Sequence, residues 1–432
     1  MAISETLRSP GQEPEINSRE HITVLEARLL QRTTRESLSI PGWSLWTEKY
    51  PKAVSGLSGV VAHFGERIER ADMDRRIEET LSQHPESIDE NWVGPVGYGA
   101  GFGAIYRSPE SSIREEKDAA TFEVALKLAT HTLELKGWSP NDVDIVDFAN
   151  SAADQGMSAT LKQKLIDDLG MRNDLEVTGS FMACDGAGNA LFSRLSDETS
   201  KGKNVLLLTV DSVGSEMPMD PKYSDTNSQQ IFSNGAASLA YIPGKDLRLL
   251  TPGKTEVHQD VNNALGAVAR YSEAIDSDST FDPNEPTGLV RRIGNERMII
   301  LPHPANDGFL MRGKETARFF WEYSEGNIAQ VVEQYEQAFP DRALDHAVVH
   351  QPSYPVFKGL AHRFEKRIRL GKQKLELPFK WVVPDGNSSG ATSLIAFNRV
   401  MTDFKPQDHV MYASFGAGGS FTSFIVEVGK NN

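Results

Sequence analysis

The chain has 432 residues, of which 39% are hydrophobic, a formal charge of −15 at pH 7 and one cysteine. This length and composition predict a globular protein with one large or two medium cores, and they argue against a fibrous or disordered chain. The negative charge argues against general nucleic-acid binding, and a single cysteine excludes intramolecular disulfides and multi-cysteine metal centres, so we expect no bound metal.

The first 50 residues are polar and carry only a short helical pattern near Ile22 to Leu30. We interpret residues 1–50 as an N-terminal appendage. The chain does not begin with a basic segment followed by an apolar run, and no stretch approaches the roughly 18 to 20 apolar residues of a membrane span. We therefore expect a cytoplasmic protein that has neither a membrane nor a nucleic acid as partner.

A helix followed by a strand comes next in the chain. Apolar residues recur at helical spacing from Lys117 to Lys136, and Gly137 stands where such a helix would end. The apolar run from Val143 to Phe148 then predicts a buried strand.

The same order returns far downstream. A helical pattern from Asn327 to Ala338 precedes a strand from Leu344 to Gln351, and Asp144 in the first copy aligns with Asp345 in the second. Each copy continues with a further helix start and two apolar strands. These segments are Gly186–Leu191, Asn204–Val210 and Ala237–Ile242 in the first copy, and Ser389–Leu394, His409–Ser414 and Phe424–Val428 in the second.

This repetition predicts two tandem α/β halves. Residues 51–246 form the first half, residues 296–432 form the second, and residues 247–295 connect them. Continuous apolar strands that alternate with helices indicate mixed or parallel sheets covered by helices on both faces.

The single cysteine lies in a turn of small residues that opens onto a helix, from Ser180 to Ala190. A lone cysteine is more often an inert buried hydrophobe than a nucleophile. The position of Cys184 nevertheless suits a nucleophile, because a helix N-terminus lowers a thiol pKa from about 8.5 towards neutrality. Small neighbours would also let a substrate carbonyl approach the sulfur and nearby backbone N–H groups.

Two polar residues of the second half stand at equivalent places. His350 ends an apolar strand, and Asn387 lies in the loop that precedes the helix at Ser389. Strand ends and helix starts are where sites assemble in α/β proteins. Histidines at such positions are often structural and Asn-Gly-Ser loops are often plain turns, but together with Cys184 they form a candidate catalytic trio.

These segments resemble the thiolase-fold condensing enzymes, and among them the 3-oxoacyl-(acyl-carrier-protein) synthase III group. That group carries Ala-Cys-small-Gly, His-Gln-Ala-Asn and Gly-Asn-Thr-Ser motifs and a glycine-rich turn near its end. The corresponding segments here are Ala183–Gly186, His350–Ser353, Gly386–Ser389 and Phe415–Ser420, and Phe232–Ala237 is similar to a Phe-Gly-Asp-Gly-Ala segment of the family. The resemblance covers about residues 50 to 430.

The resemblance implies a layered αβαβα thiolase-like fold and a ketosynthase activity in fatty acid or polyketide biosynthesis. Cys184 would be acylated by an acyl-coenzyme A or acyl-carrier-protein thioester, and the backbone N–H groups of Cys184 and Ala417 would form the oxyanion hole. His350 and Asn387 would stabilise the enolate of a malonyl-type extender. The family implies no permanently bound cofactor and a homodimer, for which the apolar strand Val205–Val210 would be a plausible sheet edge.

Several departures from the family pattern favour a specialised-metabolism relative. Pro352 and Ser353 replace the Ala-Asn of the histidine motif, and Gly97–Arg107 replaces the early Arg-Thr-Gly-Ile-Arg segment. Asp185 directly after the cysteine is unusual, because its charge would raise the thiol pKa and oppose the helix dipole.

Carrier-protein docking is a further expectation, although Pro355 stands where the family commonly places a docking arginine. A cationic strip would replace it, formed by Lys358, Arg363, Lys366 and Arg367. An ordinary solvated helix face is an equally good reading of that pattern.

Two other enzyme classes stay open on the sequence alone. An acyltransferase would move the acyl group from Cys184 to an oxygen or nitrogen acceptor, with His350 as general base. A cysteine hydrolase of another fold would use Cys184 and His350 with Asn387 as the orienting group. The tandem repeat argues against the hydrolase, and the complete trio argues against a non-catalytic partner subunit.

Overall fold

A computed structural model describes residues 19–51, 56–83, 95–109, 112, 114–151, 155–180, 182–216, 226–258, 290–293, 296–299, 313–416 and 419–430. The helices of these ranges are α1 (Arg19–Leu30), α2 (Arg70–Gln83), α3 (Arg114–Lys136), α4 (Gln155–Leu169), α5 (Gly186–Ser196), α6 (Thr226–Ile231), α7 (Gly313–Ala338), α8 (Tyr354–Arg369) and α9 (Gly390–Val400). The strands are β1 (Thr33–Ser37), β2 (Ser44–Tyr50), β3 (Ser58–Glu69), β4 (Ala104–Arg107), β5 (Ile145–Ala149), β6 (Glu176–Ser180), β7 (Val205–Asp211), β8 (Gly235–Tyr241), β9 (Leu247–Leu249), β10 (Lys254–Val257), β11 (Val290–Ile293), β12 (Glu296–Ile299), β13 (His346–Val349), β14 (His409–Gly416) and β15 (Ser420–Val428).

Two mixed sheets carry the fold. The larger one has the order β1-β2-β3-β8-β7-β5-β6, with β4 paired to β3, and the smaller one has the order β10-β15-β14-β13, with β9 paired to β15. Strand β5 runs parallel to both β6 and β7, and β13 runs parallel to β14, whereas the other pairings within these two sheets are antiparallel. The predicted mixed sheets are therefore confirmed.

Three helical layers cover these two sheets. Apolar residues of α3 and α4 pack on the outer face of the larger sheet, and those of α7 and α8 pack on the outer face of the smaller one. Helices α5 and α9 lie between the sheets and share a core with both. Every residue of α9 is buried, as expected for the middle layer. The order helix, sheet, helix, sheet, helix confirms the predicted αβαβα arrangement.

The same backbone-to-aspartate hydrogen bond occurs at equivalent places in the two halves. Asp144 precedes β5 and accepts a hydrogen bond from the backbone N–H of Asn204 at 2.9 Å, just before β7. Asp345 precedes β13 and accepts one from the N–H of His409 at 2.8 Å, at the start of β14. The aligned aspartates thus link equivalent parallel strands, and the tandem repeat is a property of the structure.

The structure differs from the expectations at three places. Residues 33–50 are not an appendage, because β1 and β2 extend the larger sheet, and residues 247–257 supply β9 and β10 to the smaller sheet. Strand β7 is not a sheet edge, since β5 and β8 bond to its two sides and all its residues are buried. A continuous apolar run is typical of an interior strand, whereas a solvated edge strand reads as polar.

The bounds of the two halves stay predictions. None of the helices in the described part of the chain is long and apolar enough to cross a lipid bilayer.

Candidate active site

The cysteine-bearing turn joins the edge strand β6 to the central helix α5. Residues Ala183–Asp185 form one 3-10 turn, and the helix begins at Gly186. Ala183 has a φ of +47°, in the left-handed region that a residue with a Cβ rarely adopts. This sharp turn places Cys184, which is buried, at the N-terminal end of α5, as the sequence predicts.

The loop before α9 holds Asn387 by its backbone and by its side chain. The N–H of Asn387 donates to the carbonyl of Ile231 at 2.7 Å, and its own carbonyl accepts from Ser233 at 2.9 Å. The Oδ1 atom accepts from the N–H of Ser389 and from Oγ1 of Thr392, each at 3.0 Å. These contacts orient the amide so that Nδ2 is the atom with which Asn387 can donate to a ligand.

The two loops meet at the sulfur. Oγ of Ser389 lies 3.3 Å from Sγ of Cys184, although the two residues come from different halves. Ser389 has a φ of +48° and its side chain does not cap α9. The carboxylate of Asp211 binds the helix start instead, accepting from the N–H of Ala391 at 3.1 Å.

His350 follows β13 directly and is buried. Its N–H donates to the carbonyl of Ala413 at 2.9 Å, and its ring meets the ring of Phe415 edge-on, with 5.0 Å between centroids. No described residue hydrogen-bonds to its Nδ1 atom. Burial lowers the pKa of His350 to about 3, so the imidazole is neutral at physiological pH.

The start of the glycine-rich turn lies against the nucleophile. A Cβ atom at Gly416 would lie 2.8 Å from the backbone nitrogen of Asp185 and 3.0 Å from that of Cys184. Only glycine fits this approach without a shift of the backbone. Ala417, predicted to supply the second oxyanion-hole N–H, lies outside the described residues, so its role stays a prediction.

Asp185 is fully buried and does not cap α5. Its carboxylate is turned to the smaller sheet, where it accepts hydrogen bonds from Oγ of Ser414 and, at 2.9 Å, from Oγ1 of Thr422. Burial raises the pKa of Asp185 to about 7, and these hydroxyls offset only part of that effect. The carboxylate therefore carries less charge near neutrality than an exposed aspartate, which weakens the expected opposition to the helix dipole.

No protein-family model matches the sequence. Several solved structures, however, are similar to this architecture. The priming β-ketosynthase of the R1128 polyketide pathway is 15% identical, with a TM-score of 0.58, over 92% of this chain and 100% of that one. The 3-oxoacyl-[acyl-carrier-protein] synthase III of Aquifex aeolicus VF5 is 13% identical, with a TM-score of 0.54, over 88% and 98%. The 1,3,6,8-tetrahydroxynaphthalene synthase of Streptomyces coelicolor A3(2), a type III polyketide synthase, is 14% identical, with a TM-score of 0.58, over 86% and 98%.

The chain has the thiolase fold. The predicted resemblance is thereby confirmed for the architecture. Since the identities are low, the likeness carries no residue roles, and those depend on the geometry of this chain.

Behind the asparagine loop, the thiolase fold here contains a buried ionic cluster. Glu48, His63 and Asp385 form the one group of the described residues whose ligand atoms, all within 4.8 Å of one another, could hold a metal. Nη2 of Arg399 contacts both carboxylates, at 2.7 Å from Asp385, so both already have a cationic partner in the protein. Burial would raise the pKa of Asp385, but the charge of Arg399 holds it well below its usual range. The cluster thus anchors the residue two positions before Asn387.

The predicted docking residues all lie on α8. Arg363 pairs with Glu325 of α7 at 2.7 Å, and Arg367 pairs with Glu325 and, at 3.0 Å, with Glu333. Nζ of Lys358 lies 5.9 Å from the ring centroid of Tyr354. Lys366 lines a surface cavity of about 440 Å³ together with His362, Arg363, Arg367, Leu370, Lys372 and Glu325. Two of the four cations are therefore neutralised by α7, and carrier docking on this face stays a prediction.

Sequence reasoning assigned no role to Ser389 or Asp211, both of which contact the site. The repeat could have pointed to Ser389, because it precedes the central helix of the second half as the cysteine turn precedes that of the first. Nothing in the local sequence predicts the contacts of Asp211, whose partners are distant in the chain.

Proposed function

We propose that this protein is an acyl-thioester-dependent, ketosynthase III-like enzyme that forms carbon–carbon bonds. The observation that carries the proposal is the meeting of the two halves at Cys184, where the loop of Asn387 reaches the sulfur through Ser389 at 3.3 Å. The thiolase fold, shared with ketosynthases at low identity, supports the same class.

In the first step Cys184, as thiolate, attacks the carbonyl carbon of an acyl thioester. A carbon–sulfur bond to the enzyme forms, and coenzyme A or a carrier-protein thiol leaves with the electron pair of the old bond. The backbone N–H of Cys184, beside Gly416, and that of Ala417 would hold the developing oxyanion.

In the second step a malonyl-type thioester loses CO2, and the electron pair of that bond becomes an enolate. His350 and Nδ2 of Asn387 would donate hydrogen bonds to its oxygen. The carbanion attacks the acyl-cysteine, a carbon–carbon bond forms and the thiolate of Cys184 is released. A neutral His350 suits this donor role, because burial lowers its pKa to about 3.

The same property counts against the alternative acyltransferase, in which His350 would take a proton from an oxygen or nitrogen acceptor. A base whose pKa lies far below the working pH is inefficient. The thiolase fold counts against a cysteine hydrolase of another architecture.

We assign the thioesters as substrates rather than resident cofactors, and we keep the cytoplasm as the expected location. For the homodimer, β6 is a better candidate edge than β7. It is the outer strand of the larger sheet and leads directly into the nucleophile turn, so that pairing of two copies there would bring their sites together.

Mass spectrometry of the intact protein tests the proposal. Incubation with a series of acyl-coenzyme A thioesters is expected to add one acyl mass to wild type and none to Cys184→Ser under the same conditions. Added malonyl-coenzyme A is expected to release CO2 and discharge the adduct.

Asn387→Ala separates the two steps. We expect a loss of CO2 release of about 100- to 1,000-fold, the usual cost of one donor to a developing oxyanion, with acylation within about threefold of wild type. Transfer of the adduct to an alcohol or amine without CO2 release would favour the acyltransferase. Absence of any acyl adduct on wild type would overturn the proposal.

A further inference from the structure

The carboxylate of Asp185 ties the nucleophile turn to the end of another element. Its two oxygens accept hydrogen bonds from Ser414 of β14 and Thr422 of β15. These two residues face each other in the antiparallel register of the hairpin. One buried side chain from the first half therefore binds both strands of a hairpin in the second.

The hydrogen bonds to Asp185 lie two residues from the glycine-rich end of the hairpin. Side chains two residues apart on a strand share a face, so Gly416 lies on the face of β14 that presents Ser414. The pair Gly416 and Ser420 closes the hairpin at its glycine-rich end. At that end the α-carbon of Gly416 lies close to the backbone nitrogens of Cys184 and Asp185. We therefore expect any change in the distance between Asp185 and the hairpin to change the distance between Gly416 and the backbone nitrogen of Cys184.

The surroundings of Asp185 leave few ways to replace this contact. The residue is fully buried, and a Cβ atom at Gly188 would lie 1.8 Å from Oγ of Ser414, so α5 and β14 are in close approach. The groups that donate to the carboxylate are hydroxyls of the two strands: those of Ser414 and Thr422 and, with a smaller effect on its pKa, that of Ser420. Loss of the carboxylate would leave the buried hydroxyl of Ser414 without its acceptor, whereas that of Thr422 would keep only its contact with Oγ1 of Thr255 at 3.1 Å.

We propose that Asp185 is a positioning residue, which bridges Ser414 and Thr422 and so sets the distance between the backbone nitrogen of Cys184 and Gly416. The inference rests on the proposed function, in which the N–H of Cys184 and that of the residue after Gly416 form the oxyanion hole. In a related chain the same arrangement would have an acidic residue directly after the cysteine. It would also have serine or threonine at the two facing hairpin positions that bind this residue.

The test compares two reactions of the same thiol. Acylation by a thioester passes through an oxyanion, whereas alkylation by iodoacetamide does not, and the single cysteine makes both readable by intact mass. We expect Asp185→Ala to slow acylation by about 10- to 100-fold, the cost of a misplaced donor, and to change alkylation by less than about threefold. Asp185→Asn should restore acylation to within about fivefold of wild type, because an amide can accept from one hydroxyl and donate to the other.

Ser423→Ala is the matched control. Ser423 lies on β15 next to Thr422, but its hydroxyl contacts Oδ1 of Asn327 instead of Asp185. We expect this variant to acylate as wild type does. Normal acylation in Asp185→Ala, an equal fall in both reactions, or an Asp185→Asn variant as slow as Asp185→Ala would each overturn the inference.

Hydrogen exchange tests the bridge without any substrate. In Asp185→Ala we expect faster amide exchange in both the 182–190 and 409–424 segments, with the outer helix α3 unchanged. Exchange that accelerates in one segment alone would overturn the inference. A wild type that no thioester acylates would defeat the proposed function and leave this exchange result to decide on the bridge.

Discussion

The hydroxyl of Ser389 contacts the sulfur of Cys184, and both residues lie at strained backbone turns. Ser389 holds a φ of +48°, and its hydroxyl points to the sulfur instead of capping α9. Backbone strain of this kind costs on the order of 1–3 kcal/mol and persists where the surroundings enforce it. Asp211 supplies the capping that Ser389 does not, through the N–H of Ala391.

We therefore expect Ser389→Ala to make Cys184 harder to ionise. A hydroxyl that donates to a thiolate contributes about 1.5 kcal/mol or more, which corresponds to a shift of about one pH unit in the midpoint of ionisation. Ultraviolet absorbance of the thiolate against pH measures it, since the chain has no other cysteine. Ser388→Ala, one position earlier and also buried, should titrate as wild type. Equal midpoints in all three proteins would show that Ser389 does not donate to the sulfur.

For single residues, the sequence predicts which side chains belong to the candidate site better than it predicts which residues they contact. Helix starts, a strand end and a family resemblance indicate Cys184, His350 and Asn387, and Cys184 and Asn387 both contact Ser389 in the structure. The acceptor role of Asp185 could not be predicted, because Ser414 and Thr422 lie more than 200 positions away in the chain.

Among the secondary-structure elements, the hairpin of β14 and β15 lies directly against the nucleophile turn. Its register brings Gly416 against the nucleophile turn, with no room for a side chain. A methyl group there would have to displace backbone atoms, which cannot move aside as a flexible side chain can.

Gly416→Ala is accordingly expected to lower the free energy of unfolding by about 1–3 kcal/mol, the usual cost of overpacking, and to slow acylation of Cys184. Thermal denaturation and the acyl-mass measurement check the two effects. Gly326→Ala is the control, because a Cβ atom at this position of α7 meets nothing within 4 Å; it should stabilise the protein by about 0.5–1 kcal/mol. A Gly416→Ala protein as stable and as active as wild type would contradict the tight approach.

The elements that periodicity predicts are those of the two repeated cores. Helix α3 and strand β7 lie where the pattern places them, because burial on a helical stripe or on both faces of a sheet leaves a clear apolar signal. Periodicity does not reveal strands β1 and β2. β1 is an edge strand with no fully buried residue, so its composition is that of a polar segment.

For the whole molecule, the layered arrangement buries carboxylates between the two halves, and stability should depend on pH for this reason. Burial raises the pKa of Asp185 to about 7 and that of Asp211 to about 6. Between the unfolded value of 3.8 and these values the native state holds protons that the unfolded chain releases. Their contribution to stability is therefore greatest below about pH 4 and is lost as the pH rises towards 7.

Asp185→Asn should remove one part of this slope. We expect the free energy of unfolding of the variant, relative to wild type, to increase from pH 5 to pH 8, as measured by denaturant unfolding at each pH. The charge of Asp185 acts on the phenol of Tyr412, which is present in both proteins. A difference between the two proteins that does not change with pH would show that the native carboxylate ionises as an exposed one does.

The amino-acid sequence by itself determined the fold class, the tandem repeat and the candidate trio, because these leave local signals: apolar periodicity, glycines at turns and short motifs in a fixed order. The tertiary structure decided which strands are edges, that residues 33–50 belong to the larger sheet, and which hydroxyls meet Cys184 and Asp185. Those outcomes depend on the packing of α5 against α9 between two sheets, and residues from opposite halves come into contact only when that middle layer forms.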